Sequence, residues 1–214
     1  MAEFPSVSPE AFFEGFKTYH EATWPMVIII YLIGVAVVIL AIKKTSYSDK
    51  TISGMLAFLW LWAGIVFFII FFSPIFPLYS LFGALFILQG LIFLVFGIYK
   101  PSLSFKIEGN KYSLVGTIFI IYALVIYPLI GYFTGHSYPS GPIFGAPCPI
   151  CIFTFGLLLG TNKRISLFVL VIPLIWSLTG IYAVTTFHVW ADIGEVVVGV
   201  AGTLMILYRN RTER

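Results

Sequence analysis

Charged residues are scarce in this chain of 214 residues: they make up 10% of it, whereas hydrophobic residues make up 60% and the mean hydropathy is +1.02. Soluble domains of this length carry about 25% charged residues, so a soluble fold is excluded. No polar segment is long enough to form a second fold. We therefore predict one membrane domain that covers residues 1–214.

Several motifs that would identify a function are also missing. The N-terminal stretch MAEFPSVSPE lacks a basic segment followed by an apolar run, so we do not expect a secretory signal peptide. The sequence contains no internal repeat and no Gly-rich nucleotide-binding motif. The last apolar segment has no lysine, which excludes a retinal Schiff base of the rhodopsin kind. The sequence therefore indicates the location and architecture of the protein more firmly than a reaction.

Seven apolar segments are present, and they predict an all-α, polytopic membrane protein of about seven transmembrane helices. Six segments have the roughly 18–23 apolar residues that a spanning helix needs. The fifth has about a dozen, which gives roughly 18 Å of helix against a bilayer core of about 30 Å. The predicted bundle covers residues 25–208, with helices at 25–42, 52–72, 78–98, 113–133, 148–160, 165–187 and 189–208.

Basic residues predict the orientation of these helices. Of the 12 Lys and Arg residues, all except Lys17 fall in the predicted segments that follow the first, third, fifth and last helices. The positive-inside rule makes that side cytoplasmic, so we expect a plasma membrane protein with its N-terminus outside and its C-terminus in the cytoplasm. The net charge of +3 therefore needs no nucleic-acid partner. The expected surroundings are the lipid bilayer.

Residues 8–22 predict an amphipathic helix ahead of the bundle. Ser8 can cap this helix, and Pro9 suits its first position, where a missing N–H costs nothing. Aromatic side chains recur at helical spacing: Phe12, Phe13, Phe16 and Tyr19. We expect the helix to lie along the outer membrane surface as an interfacial anchor. The alternative is a lid over an outer opening.

Both cysteines of the chain fall at the start of the short fifth helix. If this helix ends at Gly160, Cys148 lies roughly 10 Å below the outer surface. The preceding segment GHSYPSGPIFGAP must then enter the membrane as a re-entrant loop that is surrounded by protein or a wet cavity. Cys148 and Cys151 have the spacing of a thiol redox pair, and equally that of a two-thiolate metal clamp. Ordinary buried cysteines are the third possibility.

The last predicted helix carries two acids inside the membrane. His188, Asp192 and Glu195 have the spacing i, i+4, i+7, which predicts one shared helix face. The acids would lie roughly 5 and 10 Å below the outer edge, where they need a cation, a proton or a water-filled cavity. We therefore expect a metal or ion site between the start of the fifth helix and the outer end of the last. The candidate ligands are His136, Cys148, His188, Asp192 and Glu195.

Three functions fit these residues. The first is an outward-facing membrane protein that transports or handles Zn²⁺ or another transition metal, or a small ligand, taken from the outer side. The second is a membrane thiol–disulfide oxidoreductase that uses Cys148 and Cys151. The third is a metal-dependent membrane hydrolase in which the metal activates a water. The sequence favours the first.

Three stretches of the chain match a known pattern: HSYPSGPIFGAPCPICIFTFGLLLG, AFFEGFKTYHEATWP and the ADIGE of the last helix. Their core is Phe-Gly-x-Pro-Cys-Pro, here Phe144 to Pro149. In these stretches the chain resembles a family of small prokaryotic multi-pass membrane proteins that is known as a domain of unknown function. The resemblance covers nearly the whole chain and implies the fold without an activity. In that family the Cys-Pro pair is followed by hydroxyl residues, so the resemblance favours Cys148 over a Cys148–Cys151 pair.

Overall fold

The computed structural model describes residues 7–212, which form eight α-helices and contain no β-strand. Three of the helices include a section with wider π-helical turns, and we treat each as one continuous helix. The helices are α1 (Pro9–Ala22), α2 (Met26–Ile42), α3 (Ser48–Phe72), α4 (Tyr79–Tyr99), α5 (Lys111–Phe133), α6 (Pro147–Leu159), α7 (Leu167–Phe187) and α8 (Asp192–Thr212). The predicted all-α architecture is confirmed.

Within the described residues, four helices are long and apolar enough to cross a membrane, namely α3, α4, α5 and α7. Helices α1 and α2 supply a fifth span if the pair, which is bent by 86°, is counted as one. Helix α6 is apolar but has 13 residues, as short as the sequence predicted. Each predicted apolar segment corresponds to one helix from α2 to α8. The chain is therefore a helical membrane protein, and the number of seven crossings stays a prediction.

Helix α1 begins as the sequence predicted. The hydroxyl of Ser8 accepts a hydrogen bond from the backbone N–H of Ala11 at 3.2 Å, and Pro9 occupies the first helical position. The 86° bend turns α1 across the end of the bundle, where the indole of Trp62 in α3 donates to the hydroxyl of Tyr19 at 2.8 Å. A helix that crosses the bundle end has the orientation that an interfacial helix requires.

The loops that were predicted to be cytoplasmic meet at one end of the bundle. The ammonium group of Lys44 donates to the carbonyl of Phe105 at 3.0 Å, and the backbone N–H of Lys106 donates to the carbonyl of Gly160 at 3.1 Å. Arg209 of α8 donates to the last carbonyls of α6. We call this the basic end. Its position on the cytoplasmic side stays a prediction.

Helix α6 occupies the centre of the bundle. All its residues are buried except Cys148, which is half-buried. Helix α5 packs directly against it, because a Cβ atom at Gly156 would lie only 2.7 Å from the carbonyl oxygen of Gly116. From α3, the indole N–H of Trp60 donates to the hydroxyl of Thr154 at 2.9 Å. Longer helices therefore surround α6, and it has no surface of its own to present to lipid.

The segment between α5 and α6 is irregular, and most of its residues from 141 to 146 are buried. The ring of Phe144 packs between those of Tyr31 and Phe153, at centroid distances of 5.4 and 5.1 Å. Gly145 has φ +113°, a backbone conformation that favours glycine. This is the protein-surrounded irregular backbone that a re-entrant loop requires. The depth of the segment in the bilayer stays a prediction.

The last helix begins later than predicted. Helix α8 starts at Asp192, and His188 instead ends α7 in the left-handed conformation, with φ 56°. The backbone N–H of Val189 returns to the carbonyl of Ala183 at 3.3 Å, as in a helix C-cap. Four residues join two packed helices, so the chain must leave helical geometry there. The prediction that His188 shares a helix face with Asp192 and Glu195 is therefore wrong.

Candidate functional site

Three side chains meet at the end of the bundle opposite the basic end. Cys148 starts α6, and Asp192 and Glu195 lie in the first turn of α8. The Cys148 sulfur and one carboxylate oxygen from each acid all lie within 4.8 Å of one another. We call these three residues the acid–thiol cluster. The structure thus brings together the two segments that were predicted to form one site.

Close packing of α7 against α8 fixes the position of the two acids. A Cβ atom at Gly180 of α7 would lie 3.0 Å from the carbonyl oxygen of Asp192 and 3.1 Å from Oε2 of Glu195. One turn further along α8, a Cβ atom at Gly199 would overlap the side chain of Ser177. Small residues therefore let the two helices touch beside the acids, as small residues do in membrane proteins generally.

The two acids differ in their hydrogen bonds. The hydroxyl of Tyr127 in α5 donates to Oδ1 of Asp192 at 2.5 Å, and the thiol of Cys148 faces Oδ2 at 3.7 Å. Glu195 is fully buried, and its neighbouring donors, the thiol of Cys148 and the indole N–H of Trp176, make no hydrogen bond of good geometry with either carboxylate oxygen. Buried carboxyl groups are normally hydrogen-bonded or paired with charge. Glu195 is therefore the member of the cluster with acceptor capacity left for a cation.

No described basic side chain neutralises the cluster. The ion pairs between residues 7 and 212 belong to other acids, namely Glu14, Asp49 and Glu108. Two carboxyl groups this close together, and buried, cannot both be ionised unless a cation lies beside them. The cluster must therefore share protons or hold a positive ion.

The histidines lie at the same end of the bundle but outside the cluster. The ring of His136 stacks on that of Phe13 with centroids 4.2 Å apart, and burial together with the nearby imidazole of His188 lowers the pKa of His136. His188 is exposed at the end of α7. Neither belongs to the group of converging ligand atoms, although both were predicted as ligands. His20 is buried, and its Nδ1 lies 2.6 Å from the carbonyl oxygen of Pro139.

Cys148 and Cys151 are both free thiols, and they face different helices. The sulfur of Cys151 is buried against α7, 3.3 Å from the carbonyl oxygen of Pro173 and 3.4 Å from the hydroxyl of Ser177. The sulfur of Cys148 faces α8 instead. The structure therefore shows two separate environments for the two cysteines.

An apolar cavity of about 450 Å³ adjoins the cluster. Cys148 and Asp192 form a polar patch in its lining, and Glu195 lies behind them, outside the lining. The ring of Phe12 in α1 stacks on that of Phe187 in α7 with centroids 3.9 Å apart, so α1 closes one side of the cavity. Much of the remaining wall is aromatic, including Phe16, Phe68, Phe72, Phe82 and Trp176.

Sequence reasoning missed three residues of this site: Tyr127, Trp176 and Gly180. A tyrosine inside an apolar segment was a usable signal, because a buried hydroxyl needs a partner. The indole N–H of Trp176 is buried beside the carboxyl group of Glu195, without a hydrogen bond of good geometry. Gly180 carried no signal of its own, since its role depends on which face of α7 meets α8.

Fold and site together define a helical membrane protein with a buried acid–thiol cluster beside an apolar cavity. The chain belongs to a family of unknown function, DUF6064, whose model matches residues 9–214. The family resemblance is thereby confirmed, whereas the Phe-Gly-x-Pro-Cys-Pro core stays an inference from the sequence. No curated protein and no solved structure matches the chain.

Proposed function

We propose that the protein binds a transition metal ion at the acid–thiol cluster and handles that ion at the outer side of the membrane. The ion that fits this cluster best is Zn²⁺. The observation that carries the proposal is the convergence of three ligand atoms within 4.8 Å of one another. Zinc binds sulfur and oxygen at about 2.0–2.3 Å, so the ligand atoms of a tetrahedral site lie roughly 3.3–3.8 Å apart. Small side-chain rotations would bring Cys148, Asp192 and Glu195 to that spacing.

The chemistry of the donors supports a borderline metal ion. One thiol and two carboxyl groups combine a soft ligand with hard ones, a set that suits Zn²⁺ better than Mg²⁺ or Ca²⁺. Glu195 offers two oxygens that make no well-formed hydrogen bond, and the hydroxyl of Tyr127 holds Asp192 in place. Hydrogen bonds of this kind orient metal ligands in proteins. The thiol and any protonated carboxyl group would release protons as the ion binds.

The packing beneath the cluster favours capture or delivery of the ion on one side over transport. On the way to the basic end, a Cβ atom at Gly202 of α8 would lie 2.9 Å from the ring of Phe155 in α6. Transport would require a second arrangement in which α6 and α8 separate. The predicted orientation puts the cluster near the outer surface, where an ion could be taken up without crossing the membrane.

The two other predicted functions have less support. A thiol–disulfide oxidoreductase needs Cys148 and Cys151 to face each other, and their sulfurs face α8 and α7. A metal-dependent hydrolase needs a water at an open ligand position. The three-residue cluster leaves such a position, but the adjoining cavity is lined mainly by apolar side chains. Metal binding is common to the first and third functions and is therefore tested first.

Metal content per chain tests the proposal. The purified protein is loaded with Zn²⁺, dialysed and measured by mass spectrometry, and we expect about one zinc per chain. Glu195→Gln and Cys148→Ser should reduce this strongly, because each removes one of only three ligands. Glu108→Gln is the matched control, since Glu108 is partly exposed and pairs with Lys106 at the basic end.

His188→Ala tests the ligand set, because the three-residue cluster predicts that this variant keeps its zinc. Loss of zinc from His188→Ala would indicate that His188 is a metal ligand. A second sample is loaded with copper, and if the folded wild-type protein retains neither zinc nor copper, the proposal is wrong. The acids would then be better explained as a proton pathway.

A further inference from the structure

We propose that the cavity beside the acid–thiol cluster binds the apolar chain of a membrane amphiphile whose oxygen-donor head group reaches the metal ion at Cys148 and Asp192. The binding of the head group rests on the proposed metal site, whereas the binding of the ligand's apolar chain rests on the cavity alone.

The shape and lining of the cavity fit a molecule with one polar end. A volume of about 450 Å³ lies in the range of sites that hold small molecules. Its wall is mainly apolar and aromatic and also includes the hydroxyl-bearing Tyr79, Thr179 and Tyr182, whereas Cys148 and Asp192 place a thiol and a carboxyl group together at one point of the lining. An apolar body with a single polar head is complementary to this arrangement.

The exposed part of the lining lies on two helices that could span a membrane. Leu78, at the start of α4, and Tyr182, near the end of α7, both line the cavity and are 47% and 53% exposed. On the same two helices Leu81 and Leu178 are also exposed, as expected of lipid-facing positions on spanning helices. The cavity therefore reaches the surface where apolar side chains meet hydrocarbon. A ligand could enter from the bilayer without crossing water.

Helix α1 covers the cavity on the side of the predicted membrane surface. Phe12 and Phe16 line the cavity from α1, and the stack of Phe12 on Phe187 ties α1 to α7. This cover favours entry from the membrane over entry from the aqueous side. It also gives α1 a role as a lid in addition to that of an anchor.

The metal site supplies a place for the head group. Three protein ligands leave one position open on a four-coordinate ion. Cys148 and Asp192 line the cavity and Glu195 does not, so the open position would point into the cavity. An oxygen donor such as a carboxylate would fill it. The substrate class is therefore a single-chain amphiphile with an oxygen-donor head.

Two probes with the same zinc-binding head test the chain site: octanohydroxamate, with an eight-carbon chain, and acetohydroxamate, with two carbons. Their dissociation constants are measured on zinc-loaded protein at one fixed detergent concentration. We expect octanohydroxamate to bind at least about tenfold more tightly, because each methylene group taken out of water contributes up to roughly fourfold and the detergent competes for the chain.

A cavity-filling variant and a matched control locate the effect. Ala183 lines the cavity, so Ala183→Trp should reduce the ratio of the two dissociation constants to below about two. Leu178 lies on the exposed face of the same helix, and Leu178→Trp should keep the wild-type ratio. A wild-type ratio near one, or an unchanged ratio in Ala183→Trp, would overturn the proposal.

Zinc content measured on the same samples separates this proposal from the proposed function. If the protein holds zinc but does not discriminate between the probes, the metal site is supported and the binding site for the ligand's apolar chain is not. If the protein holds no zinc, the proposed binding of the head group is wrong. The proposed binding of the ligand's apolar chain is then tested by the rate at which N-ethylmaleimide alkylates Cys148 in a Cys151→Ala background. Octanohydroxamate should slow this reaction more than acetohydroxamate does, and Ala183→Trp should abolish the difference. Equal alkylation rates with both probes would contradict the proposal that the cavity binds the ligand's apolar chain.

Discussion

The sulfur of Cys148 lies 3.7 Å from Oδ2 of Asp192, although the two residues are 44 positions apart in the chain. The other oxygen of Asp192 accepts a hydrogen bond from Tyr127 at 2.5 Å. Donors from α5 and α6 therefore hold one carboxyl group of α8 from two sides. A group held in this way keeps its orientation before a ligand arrives, which is the condition for a well-defined binding site.

The hydroxyl of Tyr127 should contribute to metal affinity without touching the metal. In Tyr127→Phe the ring stays and the hydrogen bond to Asp192 is lost, so we expect zinc affinity to fall by about 10–100-fold. Tyr122→Phe is the matched control, because the hydroxyl of Tyr122 donates at 2.8 Å to the backbone carbonyl of Ala191 and to neither acid. Zinc titration against a competing chelator measures both variants. Equal affinities would show that the Tyr127 hydrogen bond does not orient a ligand.

The contact between α5 and α6 should tolerate no added side chain. In Gly156→Ala the new Cβ atom would lie 2.7 Å from the carbonyl oxygen of Gly116, so we expect a loss of about 1–3 kcal/mol in the free energy of unfolding. In Gly54→Ala the nearest atom is 3.9 Å away, and we expect no loss and a gain of up to about 1 kcal/mol. Unfolding in a denaturing detergent compares the two. A similar stability for both variants would contradict the close packing.

We expect that lysine, the other strongly basic residue, cannot replace Arg209 without a loss of stability. Its guanidinium group is buried and donates to the carbonyls of Leu158 and Leu159 and to the hydroxyl of Thr161, which completes the end of α6. A lysine lacks the planar fork that makes these bonds, so Arg209→Lys should lose about 1–3 kcal/mol in the free energy of unfolding.

The control for that substitution is Arg211→Lys, because Arg211 is exposed near the end of the same helix. It should stay within about 0.5 kcal/mol of the wild type. Thermal unfolding under identical conditions provides the comparison. A loss at position 211 as large as that at position 209 would mean that the fork has no special role.

The docking of α1 should weaken in acid. Burial lowers the pKa of His20 below its ordinary value of 6.5, although the carbonyl of Pro139 acts in the opposite direction. The folded chain therefore holds His20 neutral while the unfolded chain takes up a proton, and stability falls as the pH drops below about 6.5.

The variant His20→Gln should lose part of this pH dependence, and Glu21→Gln, at the exposed neighbouring position of α1, should keep it. Melting temperatures between pH 8 and pH 5 measure the difference. An identical slope for His20→Gln and the wild type would exclude His20 as a source of the effect.

The orientation of the bundle is tested by single cysteines placed at Ser46 and Ser137, in a background without Cys148 and Cys151. Both serines are exposed, and the predicted topology puts Ser46 in the cytoplasm and Ser137 outside. A reagent that cannot cross the membrane should label position 137 in intact cells and leave position 46 unlabelled until the cells are opened. The reverse pattern would move the acid–thiol cluster to the cytoplasmic side.

Local sequence signals predicted the helices well. Ser8 followed by Pro9 gave the start of α1, because capping chemistry depends only on neighbouring residues. Apolar runs gave α2 to α8, and counting residues from Gly160 and from the start of the last helix put Cys148 and the acids at one depth. That count used only helix rise and membrane thickness. Cys148 and the two acids do meet, because α6 and α8 lie side by side, whereas their depth in the bilayer stays a prediction.

The parts that failed depend on how the helices pack. His188 left the predicted face because a short connection between α7 and α8 forces a left-handed residue, and the length of that connection depends on where the packed helices end. Tyr127 reaches Asp192 from a different helix, at a separation of 65 residues. The cavity arises from five or more segments, and no local pattern encodes a space between helices.

Helix α6 has consequences for how the chain enters the membrane. A segment of 13 residues that is buried on nearly all sides gains little from contact with lipid, so it is a poor candidate for insertion as an independent unit. Its carbonyl end is completed by Arg209, which is synthesised about fifty residues later. Until α8 is in place, α6 and the loop before it expose backbone groups that hydrocarbon cannot satisfy. We therefore expect the insertion of α6 to be completed only once α8 is in place, and a chain that stops short of α8 to be recognised by membrane proteases.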